Sequence, residues 1–420
     1  MRTETCTVVK AAYYCKSNPN GHLELGGTPR ALKSNLNSLD ITWAYQTVSP
    51  LHRIAENCEQ KPFPLAFIHY FPTSLRHGFV SIAMTHRLYQ LPEGTPRNFL
   101  LEAQSRNYQY RGMALRALKE EIASEKGGAT PGLVASTVTL LSVDLSLSTV
   151  TDWRHHFNAI VAMMKLLGGL KTVHRTMPFM RLTLVAIIVY ETFGNTTSPY
   201  CDQLITFTNS GMVDDLSEIY GDGVLPVYLG TLCPRQLLLN VLSINELRQQ
   251  AANPAAKAGP GQSTAGDLLE QIHDFSPGDW IKGKATATSK REWLLIGSTY
   301  QSAVALYCIM SLQSLSILPS ALYVTAMDAA HYERLMQLLK QALAFPHLRH
   351  CLMWPLIVAG ARAVYGSADD RKFVDEQLKE LSRVGGTALP LTARAALKRF
   401  WASGKTGWDD CFDKPYIFAA

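Results

Sequence analysis

Residues Tyr300–Gln313 read YQSAVALYCIMSLQ, and the apolar character continues from Ala303 to Met327. That length invites a membrane reading. Gln313, several serines and Pro319 interrupt it, however, and a pair of buried helices accounts for it better. Cys308 lies inside the apolar pattern, where a thiol behaves as a small hydrophobe. The earlier stretch LTLVAIIVY, at 182–190, poses the converse ambiguity. Its β-branched residues suit a strand, but no partner strand is in sight, and a buried helix is the expectation.

Moving outward, the chain reads as helix after helix. Thr95-Pro96 and Thr130-Pro131 each place a cap before a proline at the first helical position, and predict helices running to the Gly127-Gly128 break and to about Leu147. A third helix is expected from about Asp152 to Leu167, with Phe157, Ile160, Val161 and Met164 on one face and Gly168-Gly169 as its stop. Cys233-Pro234 opens another, through Arg248. Further helices are expected at about 289–316, 328–344, 355–365, 369–384 and 388–402, with Pro319, Pro346, Pro355, Gly366 and Gly385-Gly386 at the joints. Asn20-Gly21 is the lone hairpin-type dipeptide between strand-like runs, and no repeat of fixed period occurs. The fold class that follows is all-α: a multi-helix, bundle-like body with no substantial sheet. Residues 1–40, rich in Gly, Pro, Asn and Ser, are expected to form a loosely ordered leader. The helical body spans 41–420, with a flexible insertion at about 249–266, QQAANPAAKAGPGQSTAG.

The composition excludes several function classes. The chain has 420 residues, 47% hydrophobic and 18% charged, with mean hydropathy near zero and a formal charge of +6. No run of five or six Lys/Arg gives a nucleic-acid footprint. Eight cysteines stand at 6, 15, 58, 201, 233, 308, 351 and 411, and no CxxC pair occurs. Their scatter suits buried free thiols in a reducing compartment better than a disulfide framework or a closed zinc site. The first residues lack the apolar core of a signal peptide, so a soluble intracellular protein with no membrane partner is expected.

Few constellations carry chemistry. Asp409-Asp410-Cys411-Phe412-Asp413 spells DDxxD, the magnesium-binding pattern of terpene cyclases, which hold a leaving diphosphate through paired carboxylates and metal ions. A second metal motif would have to follow, and the chain ends at 420, so a solvated acidic turn is the better reading. Gly404-Lys405-Thr406 resembles the tail of a P-loop, but Arg399 stands where its first glycine belongs. Gly259–Thr264 has no lysine to reach a phosphate. His347, His350 and Cys351, and the pair His155-His156, lack the frame of a metal site. Trp280, Trp293, Tyr300 and Tyr307 are assigned to packing.

An ordered series of segments nevertheless resembles one family. Tyr108–Ile122 (YQYRGMALRALKEEI) is followed by Asp152–Gly169 (DWRHHFNAIVAMMKLLGG), a Trp-His helix ending in a glycine pair. Tyr220–Arg248 contains a Cys-Pro-led helix closing in Ile-Asn-x-Leu-Arg. Phe275-Ser276-Pro277, Trp280, Trp293, Tyr300–Gln313, Trp354–Gly360, Asp370-Arg371 and Phe400-Trp401 continue in order. Together they are similar to the fungal-specific transcription factor domain, the regulatory module of zinc-cluster activators, over roughly 100–402. The resemblance implies a fungal source, an all-α fold, regulation of RNA polymerase II genes, and a nuclear location, otherwise cytoplasmic. It implies no enzyme activity and no catalytic, cofactor-binding or metal residues. Such activators carry a six-cysteine binuclear zinc cluster ahead of this domain. Cys6, Cys15 and Cys58 cannot build one, so no zinc cofactor and no direct DNA binding are expected of this chain. The expected partners are other transcription regulators or co-regulators. Homo- or heterodimerisation and a small-molecule effector held between helices stay open. The rival from another class is an all-α magnesium-dependent enzyme of terpene cyclase type using Asp409, Asp410 and Asp413.

Overall fold

The computed structural model describes residues 70–92, 94–124, 128–147, 153–204, 206–207, 213–221, 232–252, 264–282 and 289–418. Among them every regular element is a helix and no strand occurs, as the sequence predicts. The expected leader at 1–40 lies outside the described residues. So do 253–263, the middle of the expected insertion; its two ends are helical.

The chain divides into two compact units. The described part of the first falls within 70–184 and 382–389, that of the second within 185–381 and 390–418. The first unit holds α1 (Thr73–Tyr89), α2 (Arg97–Ser124), α3 (Pro131–Leu147), α4 (Arg154–Leu166) and α5 (Gly169–Thr176). α6 (Arg181–Thr196) carries the chain into the second unit. There follow α7 (Val213–Tyr220), α8 (Arg235–Ala252), α9 (Ala265–Asp274), α10 (Pro277–Trp280), α11 (Lys290–Ser314), α12 (Leu322–Ala342) and α13 (Met353–Arg362). The order closes with α14 (Ala368–Gly385), α15 (Leu389–Ser403) and α16 (Trp408–Cys411).

The start and stop chemistry is local. At α3 the Thr130 hydroxyl accepts from the Leu133 N–H at 3.3 Å, ahead of Pro131. α4 ends where Gly168 and Gly169 both take positive φ, 90° and 88°. α9 begins in a full capping box between Thr264 and Asp267, inside what composition reads as a linker. The residues at 182–190 are helical and almost wholly buried within α6, which settles the strand ambiguity. α12 starts at Leu322 rather than near 328, because Ser316 turns the chain in the left-handed region at φ 57° and leaves Pro319 outside either helix.

In the first unit α3 is the central helix, with α1, α2 and α4 packed on it. Ser74 Oγ donates to the Glu121 carboxylate and is hydrogen-bonded to Ser136 Oγ, tying α1, α2 and α3 at one end. The second unit is built round α11, which packs on α8, α9, α10, α12, α13 and α16. Its residues Thr299–Ile309 are buried without exception. Among the described residues α11 is the single unbroken helix long and apolar enough to cross a membrane, and 83% of its apolar window is already inside the protein. It is a core helix.

Candidate functional site

The sharpest sequence candidate, Asp409–Asp413, is taken apart by the structure. Asp409 Oδ1 accepts from Arg248 Nη2 at 2.8 Å and from the Tyr200 N–H at 2.8 Å. Asp410 is paired with Lys405 Nζ at 2.9 Å. Asp413 accepts from the Tyr416 hydroxyl at 2.7 Å and lies 3.4 Å from Arg399. The three carboxylates thus meet three different cations and do not converge on one metal position. Among the described residues no group of three or more His, Cys, Asp or Glu could hold a metal ion. The expectation of a solvated acidic turn holds at Asp410 and Asp413, which are exposed, and fails at Asp409. Lys405, the lysine of the P-loop-like fragment, serves Asp410.

What Asp409 does instead is neutralise a fully buried arginine. Arg248 ends the Ile-Asn-x-Leu-Arg segment of α8 and has no exposed surface. Its Nη1 donates to Asn195 O and to the Tyr307 hydroxyl, both at 2.9 Å, and its Nη2 donates to Ser198 O at 2.9 Å besides Asp409. The Tyr307 hydroxyl donates in turn to Asn245 Oδ1 at 2.5 Å, and Asn245 Nδ2 donates to Thr192 O at 2.9 Å. Burial works against the Arg248 charge, and the Tyr307 oxygen and Asp409 carboxylate outweigh it, so its pKa is raised. Burial pushes the Tyr307 hydroxyl up to about 12 against the pull of Arg248. Trp408 completes the centre: its Nε1 donates to Thr196 O at 2.8 Å, and its ring packs edge-on against Tyr307 at 5.0 Å. The last described residues are thereby tied to the end of α6, and Tyr416 N donates to Thr197 O at 3.1 Å.

The sequence quotes Asn245 and Arg248 only as part of a resemblance. The signal that places them inside was nonetheless present. They share a helical face with Val241 and Ile244, and a polar pair on an apolar stripe must find buried partners. Tyr300 behaves as the packing assignment predicts, its ring stacked on Trp354 at 6.2 Å, while its hydroxyl donates to Cys351 O.

The histidine candidates separate. His156 pairs with buried Asp144 at 2.9 Å; Arg111 reaches the same carboxylate, and His155 is exposed. Burial opposes the Asp144 charge, yet its bonds to His156 and Arg111 hold its pKa below the usual range. His347, His350 and Cys351 lie in a short 3-10 turn, Pro346–Cys351, whose Cys351 thiol donates to Leu348 O at 2.9 Å.

The second unit also has an open cleft of about 330 Å³. Arg235 and Gln236, in the first turn of α8, face Asp274 and Phe275 at the end of α9 and Asp279 and Trp280 in α10. Asp279 is engaged by Lys282 at 2.5 Å. Opposed charges beside an indole suit a small polar guest better than an apolar one.

The Fungal specific transcription factor domain profile matches residues 44–417. The chain belongs to that family. It is also 34% identical over 355 residues to the Phomenoic acid biosynthesis cluster-specific transcriptional regulator of Leptosphaeria maculans. The match covers 83% of this chain and 66% of that protein, just under two thirds of its length. No solved structure matches the chain. The family match extends beyond both ends of the 100–402 resemblance and takes in the Trp408–Tyr416 segment that meets Arg248.

Proposed function

We propose that this protein is a transcriptional regulator of RNA polymerase II genes, acting in the nucleus through protein contacts made by its helical body. The observation that carries this reading is the family match over 44–417. The fungal relative, by its name a regulator specific to a biosynthesis cluster, supports a gene-cluster target class for this chain too. The polar centre at Arg248 fits a structural role in such a body, since Asp409 Oδ1 and the Asn195 and Ser198 carbonyls already accept from the arginine. The test is deletion and overexpression of the gene followed by transcript profiling. A coordinated change in a contiguous set of biosynthetic genes is expected. Profiles indistinguishable from the parent strain in both experiments would sink the proposal.

A further inference from the structure

The first unit carries exposed apolar side chains on α2 and α4, with basic residues nearby, that nothing above assigns. α2 and α4 both pack on α3. Asp144 of α3 meets Arg111 of α2 and His156 of α4, which sets those two positions level. Leu115 of α2 and Met163 of α4 lean on the same buried cluster of Ala114, Leu118, Leu133 and Leu140. The two helices therefore run in the same direction along α3. At equal rise per residue, Ile122 and Leu166 stand at nearly the same height.

These last two are not buried: Ile122 is 46% and Leu166 68% exposed. They extend rows that the helical period defines. On α2 the row is Leu101, Tyr108, Leu115 and Ile122 at seven-residue steps, with Leu101 54% and Tyr108 50% exposed. On α4 it is Ala159, Met163 and Leu166, at i, i+4 and i+7. Scattered surface leucines need no explanation, but two aligned rows on parallel helices form a face. Such a face fits an amphipathic helix laid along it.

The margin decides the occupant. Lys119 and Arg116 of α2 are exposed about 60° and about 120° round the helix from Ile122, whereas Glu120 falls roughly 160° away. α4 and α5 carry Arg154, Lys165, Lys171 and Arg175 and no acidic residue. The described residues of this unit hold thirteen Lys/Arg against Glu102, Glu120, Glu121 and Asp144, and Asp144 is buried. A nucleic-acid surface would leave the apolar rows without a matching partner. A second copy would bring the same positive charge against itself.

We propose that the α2–α4 face of the first unit binds an acidic amphipathic helix of a partner protein. This deepens the regulatory reading and rests on it for its biological meaning, but its test reads direct binding and fails independently of any transcript measurement. The full chain is titrated against a fluorescein-labelled synthetic peptide of about 16 residues, with Leu and Phe at helical i, i+3, i+4, i+7 spacing and Asp/Glu elsewhere. Fluorescence polarisation is expected to show saturable binding that weakens with salt. The Ile122→Asp/Leu166→Asp variant should lose at least about tenfold in affinity with its melting temperature unchanged, because both side chains are exposed. Arg116→Glu/Lys119→Glu should weaken binding as well, and Leu322→Asp, an exposed site in the second unit, should not. Equal affinity for a scrambled peptide of the same composition, or an unchanged Ile122→Asp/Leu166→Asp variant, overturns the proposal. So does a wild-type dimer in light scattering that this variant converts to monomer, which assigns the face to a second copy. Displacement of the peptide by random-sequence duplex DNA, with DNA binding lost in the variant, assigns it to nucleic acid and overturns it equally.

Discussion

A buried guanidinium with one carboxylate partner is a costly arrangement to disturb. Removing the partner leaves a charge in the interior, which costs more than an intact pair contributes. Asp409→Ala is therefore expected to destabilise by about 3–5 kcal/mol in urea unfolding, and Asp410→Ala, with its exposed Lys405 partner, by under about 1 kcal/mol. Magnesium should leave both midpoints where they were. A magnesium-dependent rise in wild-type stability that Asp409→Ala abolishes would instead favour metal binding at this segment. At a second residue, Gly386 takes φ 61° and an added Cβ would lie 2.2 Å from His86 Cδ2. Gly386→Ala combines a left-handed backbone with a clash, and a loss of at least about 2 kcal/mol is expected in thermal melts. At the first of these sites the burial of Arg248 could be read from its helical spacing with Asn245, but its pairing with Asp409 could not. The second could not, because a glycine pair marks a helix end without revealing what packs on it.

At the scale of elements, two helical segments carry histidines kept neutral by their surroundings. Burial, then Arg334 and His273, lowers His331 of α12 to about 4, with Asp328 opposing. Burial and Arg349 lower His350, in the turn before α13, to about 4. Both folded pKa values lie below the unfolded value of 6.5, so between them the unfolded chain binds more protons. The stability each contributes is complete above pH 6.5 and is lost as pH falls toward 4. A falling urea midpoint across that window is expected, and His331→Leu should flatten part of the slope. An unchanged slope in that variant would show that His331 does not titrate as its burial implies. Helix ends at this scale were largely legible. Thr130-Pro131 and Gly168-Gly169 set α3 and the end of α4 through local backbone chemistry alone. α1, α5, α7, α9, α10 and α16 were not anticipated; all but α1 are short helices with too few turns for periodicity to rise above composition.

At the scale of the whole molecule, burial sorts the thiols among the described residues. Cys201 is exposed, whereas Cys233, Cys308, Cys351 and Cys411 are buried. Burial raises the pKa of each of these four, to about 12 for Cys308 and Cys351. Maleimide labelling mapped by mass spectrometry should find Cys201 modified under native conditions and these four only after unfolding. Native labelling of Cys308 would contradict the packing of α11. The sequence by itself determined the all-α class, the core status of the 300–313 stretch and the family. Those follow from apolar periodicity, proline and glycine punctuation and the order of segments, all of which are local along the chain. Only the tertiary structure decided that Asp409 neutralises Arg248 rather than joining a metal site, and that Arg111 and His156 meet on Asp144. Each brings together side chains far apart in sequence, and that proximity is fixed by how helices pack, which no local pattern encodes.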